Sequence, residues 1–133
     1  MKKNILFVCI ENSNRSQMAE AFARMHGDNI VNAFSAGSRP SGKINPVAIE
    51  GMKQKGYDLT LHKSKSVDEF RTMNFDYVIT MGCGDECPFI PAKHLEDWDI
   101  PDPKEMPLKD FLIVRDLIEA KVKMLLKKIE KDN

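Results

Sequence analysis

The apolar residues of this 133-residue chain follow two different spacings. Continuous runs of β-branched and aromatic residues are typical of strands covered on both faces, and apolar residues at every third or fourth position are typical of amphipathic helices. The runs predict strands at Lys3–Cys9, Val31–Ala36 and Phe75–Met81, and a short extended piece near His94–Trp98. The helical spacing predicts helices from Ser16 to Gly27, from Asn45 to Gly56, from Val67 to about Met73, and from Leu108 to the end of the chain.

Strands that alternate with helices predict an α/β fold. We expect a single domain over residues 1–133, with a central four-stranded parallel sheet and helices on both faces. Ligands of such sheets bind beyond the carboxyl ends of the strands. Cys9 ends the first predicted strand and Cys83 follows the third, so both should open onto that edge.

Composition narrows the choice of partner. Lysine plus arginine equals aspartate plus glutamate, 20 against 20, so the charge balance favours neither nucleic acid nor an anionic membrane. The first apolar run ends at Glu11, too early for a signal peptide, and no stretch is long enough to span a membrane. We therefore expect a cytoplasmic monomer that acts on a small molecule or a protein. Three cysteines in a reducing compartment favour reactive thiols over structural bridges.

The loop between the first strand and the first helix carries the strongest chemical signal. It begins with a thiol, Cys9, and ends with a guanidinium and a hydroxyl, Arg15 and Ser16. Such a loop curls so that its backbone N–H groups surround an anion, and Arg15 adds a planar fork for two oxygens. The expected oxyanion-binding residues are Ile10, Glu11, Asn12, Ser13, Asn14 and Arg15.

Those donors should make the Cys9 thiol ionise more readily than a free cysteine, and Ser16 can donate its hydroxyl to the resulting thiolate. The sequence therefore predicts a nucleophile placed at the anion that it attacks. The alternative is a small core cysteine at the end of a strand, which does not explain the polar run that follows.

Asp102 and the cysteine pair Cys83 and Cys87 complete the predicted chemistry. Asp102, fixed between two prolines, is the candidate acid that protonates a departing oxygen, and the alternative is an ordinary turn aspartate. If water discharges the covalent intermediate, the enzyme is a phosphatase, and if a second thiol does so, it is a reductase. Cys83 and Cys87, in a glycine-rich loop, favour the reductase. Buried cysteines or half of a zinc site with His94 are the alternatives, and the spacing favours no metal.

Other candidate residues are interpreted as structural. His26 and His62 are expected to be surface or capping residues, and Trp98 is expected to be a packing anchor.

The sequence resembles the low-molecular-weight tyrosine phosphatase superfamily, and within it the thioredoxin-coupled arsenate reductases. The matching stretches are Cys9–Glu20, Ser35–Gly37, Asn45–Pro46, Val78–Cys83, Cys87–Pro88 and Asp102–Pro103. The Cys-x5-Arg-Ser loop alone identifies only the superfamily. The sequence Ser-Gln-Met-Ala-Glu after Arg15, together with the cysteine pair, points to arsenate reduction.

The resemblance implies roles for these residues and no cofactor. Cys9 attacks arsenate, for which phosphate or sulfate is an analogue, while Arg15 and the loop amides hold the oxygens and Asp102 protonates the departing one. Cys83 then attacks Cys9 and releases arsenite, Cys87 attacks Cys83, and thioredoxin reduces the final disulfide. The alternatives are a tyrosine phosphatase working through a phosphorylated Cys9 and a non-catalytic thiol or metal-binding module.

Some positions depart from the family pattern. Glu11 places a carboxylate at the mouth of the loop, where it repels an anion unless it points to solvent. Pro103 is followed by Lys104 and Glu105 where phosphatases carry aromatic residues. Some relatives bind a monovalent cation through four residues, of which Asn12, Glu20 and Ser35 match here, while Lys65 replaces the acidic one. We expect the lysine ammonium to substitute for the ion, so that activity does not depend on potassium.

Overall fold

Four parallel strands form the sheet at the centre of this protein, in the order β2-β1-β3-β4. The computed structural model describes residues 2–83 and 89–132. Its elements are β1 (Lys3–Cys9), α1 (Arg15–Gly27), β2 (Val31–Gly37), α2 (Pro46–Lys53), β3 (Phe75–Thr80), β4 (Ala92–Asp97) and α3 (Leu108–Asp132), with short 3₁₀ helices at Leu59–Leu61 and Val67–Phe70. The predicted α/β class with a four-stranded parallel sheet is confirmed.

Local capping signals place the helix starts where the sequence predicts them. The Asn45 side chain accepts a hydrogen bond from the backbone of Val47, and Pro46 occupies the first position of α2. Ser66 and Glu69 form both halves of a capping box at the start of the 3₁₀ helix Val67–Phe70. These bonds satisfy N–H groups that a helix leaves without partners at its first turn.

The two faces of the sheet are covered differently. The three α-helices pack on one face, where Phe7 of β1 lies in the same cluster as Phe22 of α1 and Ile118 of α3. On the other face, Leu6 of β1 packs with Phe70 of the 3₁₀ helix. The alternation of side chains along β1 thus sends successive residues into two separate clusters. Helices do cover both faces, but within residues 2–83 and 89–132 the helix that covers the second face is a single short 3₁₀ turn.

The strand order places the end of β1 at a topological switch point. The chain leaves β1 toward β2 on one side, and β3 lies on the other side. Crevices of this kind, beyond the carboxyl end of the central strand, are where open α/β sheets bind ligands. Cys9, the last residue of β1, lies at this point.

None of the helices described in residues 2–83 and 89–132 has the length and apolarity needed to cross a membrane.

Candidate active site

Cys9 is a buried free thiol at the start of the loop that joins β1 to α1, with 3% of its surface exposed. Its sulfur lies 2.8 Å from the Ser16 hydroxyl and accepts a hydrogen bond of 3.3 Å from the backbone N–H of Asn12. Asn12 has a positive φ of 51°, which turns the loop back over the sulfur. The loop is therefore folded around the thiol rather than extended away from it.

The direction of the hydrogen bond between Ser16 and Cys9 follows from the Asn12 side chain. The backbone N–H of Lys65 can only donate, and it lies 2.8 Å from Asn12 Oδ1, so this oxygen is the acceptor end of the amide. The other end, Nδ2, donates to Ser16 Oγ at 2.7 Å. Since Ser16 Oγ already accepts that proton, its own hydrogen is available to point at the Cys9 sulfur. This arrangement stabilises a thiolate.

The hydrogen-bond chain continues away from the thiol to His62. Gln17 Nε2 donates to the backbone carbonyl of Lys63 at 2.8 Å, so Gln17 Oε1 must be the acceptor that faces His62 Nδ1 at 2.9 Å. His62 Nδ1 therefore carries a hydrogen, and Nε2 accepts from the Tyr57 hydroxyl at 2.6 Å. This is the neutral ring with its proton on Nδ1.

The sequence predicts His62 to be a surface or capping residue, and it does cap the 3₁₀ helix Leu59–Leu61, since its backbone N–H donates to the carbonyl of Leu59 at 3.1 Å. It is not a surface side chain, because only 6% of that side chain is exposed. Burial lowers the pKa of His62, and the nearby Glu20 carboxylate only partly offsets that effect. A neutral His62 matches the hydrogen-bond directions. His62 contacts the Gln17 side chain, which also donates a hydrogen bond to the Asn12 side chain. His62 is therefore linked to the thiol through the amides of Gln17 and Asn12, and the sequence did not predict this link.

Arg15 is held by backbone carbonyls from two other parts of the chain. Its Nη1 donates to the carbonyl of Met81, just after β3, at 2.6 Å and to that of Ile100 at 3.0 Å. Its Nη2 lies 3.9 Å from Asp102 Oδ2. The guanidinium is thus fixed in position, and Arg15 lines the cavity beside Cys9, where a guanidinium suits a bound oxyanion.

Asp102 lines the same cavity as Cys9 and Arg15. Its side chain is 49% exposed, and Oδ1 accepts a hydrogen bond of 3.1 Å from the backbone N–H of Lys104. Oδ2 is left on the side of Arg15. The structure therefore brings together the predicted nucleophile, oxyanion-binding arginine and acid.

The cavity above Cys9 has a volume of about 40 Å³. Its lining consists of Cys9, Ile10, Glu11, Ser13, Asn14, Arg15, Asp102 and Lys104. Five of the six predicted oxyanion-binding residues belong to this lining. The sixth, Asn12, instead turns its side chain beneath the loop toward Ser16 and Lys65.

The second predicted thiol site begins three residues after β3. Cys83 is buried, with 5% of its surface exposed, and its sulfur is in a disulfide. Cys87, the third cysteine of the predicted relay, lies outside the described residues. Gly82, between Cys83 and the carbonyl that holds Arg15, has a φ of 80°, a conformation that favours glycine.

The position at which the resemblance suggests a monovalent cation is occupied by side chains. Lys65 Nζ lies 3.9 Å from Glu20 Oε1, while Arg24 Nε donates to Glu20 Oε2 at 2.9 Å and the Ser35 hydroxyl donates to Oε1. Burial lowers the pKa of Lys65, and Glu20 acts in the opposite direction. Two cationic side chains therefore already balance the buried Glu20 carboxylate.

The chain was matched to known families and proteins along most of its length. The family model for low molecular weight phosphotyrosine protein phosphatase matches residues 4–133. A glutaredoxin arsenate reductase from Synechocystis sp. is 35% identical over 130 residues, which cover 96% of this chain and 98% of that protein. An arsenate reductase from Staphylococcus aureus is 39% identical over 125 residues, which cover 91% of this chain and 94% of that protein.

Solved structures with the same fold include two arsenate reductases. One, in the phosphate binding state, has a TM-score of 0.87 at 35% identity, over 97% of this chain and 99% of that one. The other, a thioredoxin-dependent arsenate reductase from Corynebacterium glutamicum, has a TM-score of 0.81 at 33% identity, over 99% of this chain and 64% of that one.

Proposed function

Because this chain belongs to the low molecular weight phosphotyrosine protein phosphatase family and its relatives include arsenate reductases, we propose that it reduces arsenate to arsenite. The observation that carries the proposal is the free Cys9 thiol, which lines a cavity of about 40 Å³ together with Arg15 and Asp102. A tetrahedral oxyanion in that cavity has a nucleophile, a bidentate cation and an acid around it.

In the first step, the Cys9 thiolate attacks arsenic and a sulfur–arsenic bond forms. An arsenate hydroxyl group takes a proton from Asp102 and leaves as water. Arg15 and the loop amides hold the remaining oxygens, and the Ser16 hydroxyl releases the sulfur from its hydrogen bond as the new bond forms. Arsenic is still pentavalent at this stage.

The second step requires the reduced protein, in which the disulfide of Cys83 is open, and there the thiolate of Cys83 attacks the Cys9 sulfur. The sulfur–sulfur bond forms as the sulfur–arsenic bond breaks, and the electron pair of that bond stays on arsenic, which leaves as trivalent arsenite. Cys87 then attacks Cys83, which restores the Cys9 thiol and leaves a disulfide between Cys83 and Cys87. Cys83 and Cys87 together lose the two electrons that arsenic gains.

Thioredoxin is the proposed reductant of that last disulfide. A similar structure is that of a thioredoxin-dependent arsenate reductase, while one relative is a glutaredoxin arsenate reductase. An internal pair of thiols produces a protein disulfide, which is the substrate that thioredoxin reduces by thiol exchange. Reduction by glutaredoxin is the alternative, and the assay compares the two reductants.

The deciding assay measures arsenite formation with thioredoxin, thioredoxin reductase and NADPH, beside the same reaction with glutaredoxin and glutathione. Hydrolysis of p-nitrophenyl phosphate is measured in parallel. We expect sustained arsenite formation with thioredoxin and weak hydrolysis. Fast hydrolysis without arsenite would show a phosphatase instead.

Substitutions of Cys9, Cys87 and Asp102 test the roles that the mechanism gives to these residues. Cys9→Ser should abolish arsenite formation, and Cys87→Ser should complete at most one turnover per protein because its mixed disulfide is not passed on. Asp102→Asn should slow the first step while leaving phosphate binding in place. Undiminished multiple turnover by Cys87→Ser would remove that residue from the mechanism.

A further inference from the structure

An ion pair joins the two segments that line the cavity above Cys9. Glu11 comes from the loop after β1, and Lys104 comes from the segment after Asp102. Lys104 Nζ donates a hydrogen bond of 2.7 Å to Glu11 Oε2. The Glu11 and Lys104 side chains are 35% and 52% exposed, whereas Cys9 and Arg15 are buried, so the pair lies on the solvent side of the cavity, as the exposed Asp102 does.

Lys104 connects this ion pair to the predicted acid. Its backbone N–H donates to Asp102 Oδ1 at 3.1 Å, while its ammonium bonds Glu11. The hydrogen bond to Glu11, with the charge of that carboxylate, raises the pKa of Lys104, so the ammonium stays charged. The loop that holds the nucleophile and the segment that holds the acid are thus joined through one side chain.

The cavity above Cys9 is small enough to limit what binds in it. Its volume of about 40 Å³ is that of roughly three water molecules by the same measure, which suits a tetrahedral oxyanion and leaves no space for an aromatic ring. A substituent on the oxyanion must extend out of the cavity past its lining, which includes Glu11 and Lys104. No aromatic side chain follows Pro103 to receive a ring, because Lys104 and Glu105 occupy those positions.

We propose that the Glu11–Lys104 ion pair is a strap across the mouth of the cavity that selects a free inorganic oxyanion over a phosphate ester. The identity of that oxyanion as arsenate rests on the proposed function, but the selection between free anion and ester does not. Each side chain of the pair also neutralises the charge of the other. Glu11 alone would repel an anion, and Lys104 alone would attract it.

Single and double substitutions can therefore separate the effect of the ion pair as a barrier from the effect of each charge. Glu11→Gln leaves an unpaired ammonium at the mouth and should tighten the binding of inorganic phosphate by about threefold to tenfold. Lys104→Met leaves an unpaired carboxylate and should weaken it by a similar factor. The double variant keeps the net charge, so its phosphate affinity should stay within about twofold of the parent while the strap is absent.

The test uses calorimetric titration with inorganic phosphate and with phenyl phosphate. All proteins carry Cys9→Ser, so that no ester is turned over. In the parent, phosphate should bind more tightly than phenyl phosphate. In the double variant Glu11→Gln/Lys104→Met, phenyl phosphate should gain about fivefold relative to phosphate, because it no longer has to break the ion pair.

The control is an exposed ion pair whose residues do not line the cavity, between Arg71 Nε and Asp68 Oδ1 at 2.6 Å. Asp68→Asn/Arg71→Met should leave the ratio of the two affinities unchanged. An unchanged ratio in the Glu11/Lys104 double variant, equal changes in the control, or shifts of the same sign in the two single variants would each overturn the proposal. Absence of arsenite formation by the wild type would overturn the proposed function while leaving this test intact.

Discussion

Replacing Gly37 with alanine tests whether the loop over Cys9 is held in position from beneath. Gly37 is the last residue of β2 and pairs with Cys9 across the sheet. A Cβ added there would lie 2.5 Å from the carbonyl oxygen of Ile10 and 2.9 Å from the backbone nitrogen of Asn12. Both neighbours are backbone atoms of the oxyanion loop, so no side-chain rotation relieves the contact.

The size of the required shift sets the expected effect. Ordinary separations between such atoms are about 3.5 Å, so the loop must move by roughly 1 Å. A misplacement of that size around a reacting centre costs about 100-fold in rate. Overpacking of this kind also lowers the free energy of unfolding by about 1–3 kcal/mol. We therefore expect Gly37→Ala to reduce kcat/KM for arsenate by about 100-fold and to lower Tm.

The assay measures initial rates of arsenite formation at a temperature where circular dichroism shows both proteins folded. Gly51→Ala is the matched control, because the added Cβ would meet Leu112 at 3.5 Å and Arg115 at 3.6 Å, which are ordinary contacts. This helical substitution should leave the rate unchanged and stabilise the protein by about 0.5–1 kcal/mol. If Gly37→Ala kept the wild-type kcat/KM while folded, the reasoning about the loop would be refuted.

Three further outcomes are expected. Ser16→Ala removes a hydrogen bond to a charged sulfur and should lower kcat/KM for arsenate by about 10-fold to 100-fold. The control Ser41→Ala, at an exposed serine, should leave kcat/KM unchanged. Equal rates for the two variants would exclude Ser16 as the donor to Cys9. Because Lys65 already faces Glu20, replacing sodium chloride with potassium chloride at constant ionic strength should not change the rate of arsenite formation, and a clear rise would contradict this. Burial lowers the folded-state pKa of His62, so the unfolded chain binds more protons in acid, and the free energy of unfolding should fall between about pH 7.5 and pH 5.5. His62→Gln should flatten that fall in urea titrations, and an unchanged slope would show that other groups cause it.

The sequence by itself determined the elements and the chemical identity of the loop. Continuous apolar runs and a spacing of three to four residues report which positions face a core, and capping residues such as Asn45 and Ser66 report where helices begin. These signals act within a few residues of one another. The strand, polar loop and helix around Cys9 are contiguous in the chain, so the nucleophile and Arg15 could be predicted without coordinates.

Only the tertiary structure decided the hydrogen bonding and the closure of the loop that follows Cys9. The backbone of Lys65, 53 positions away from Asn12, fixes the amide that orients Ser16, and Lys104, 93 positions away from Glu11, closes the cavity. His62 is buried because Tyr57 and Gln17 enclose it, which no local pattern reports. Hydrogen-bond direction and burial depend on which distant segments meet, and those meetings are set by the packing of the whole sheet rather than by residues adjacent in the chain.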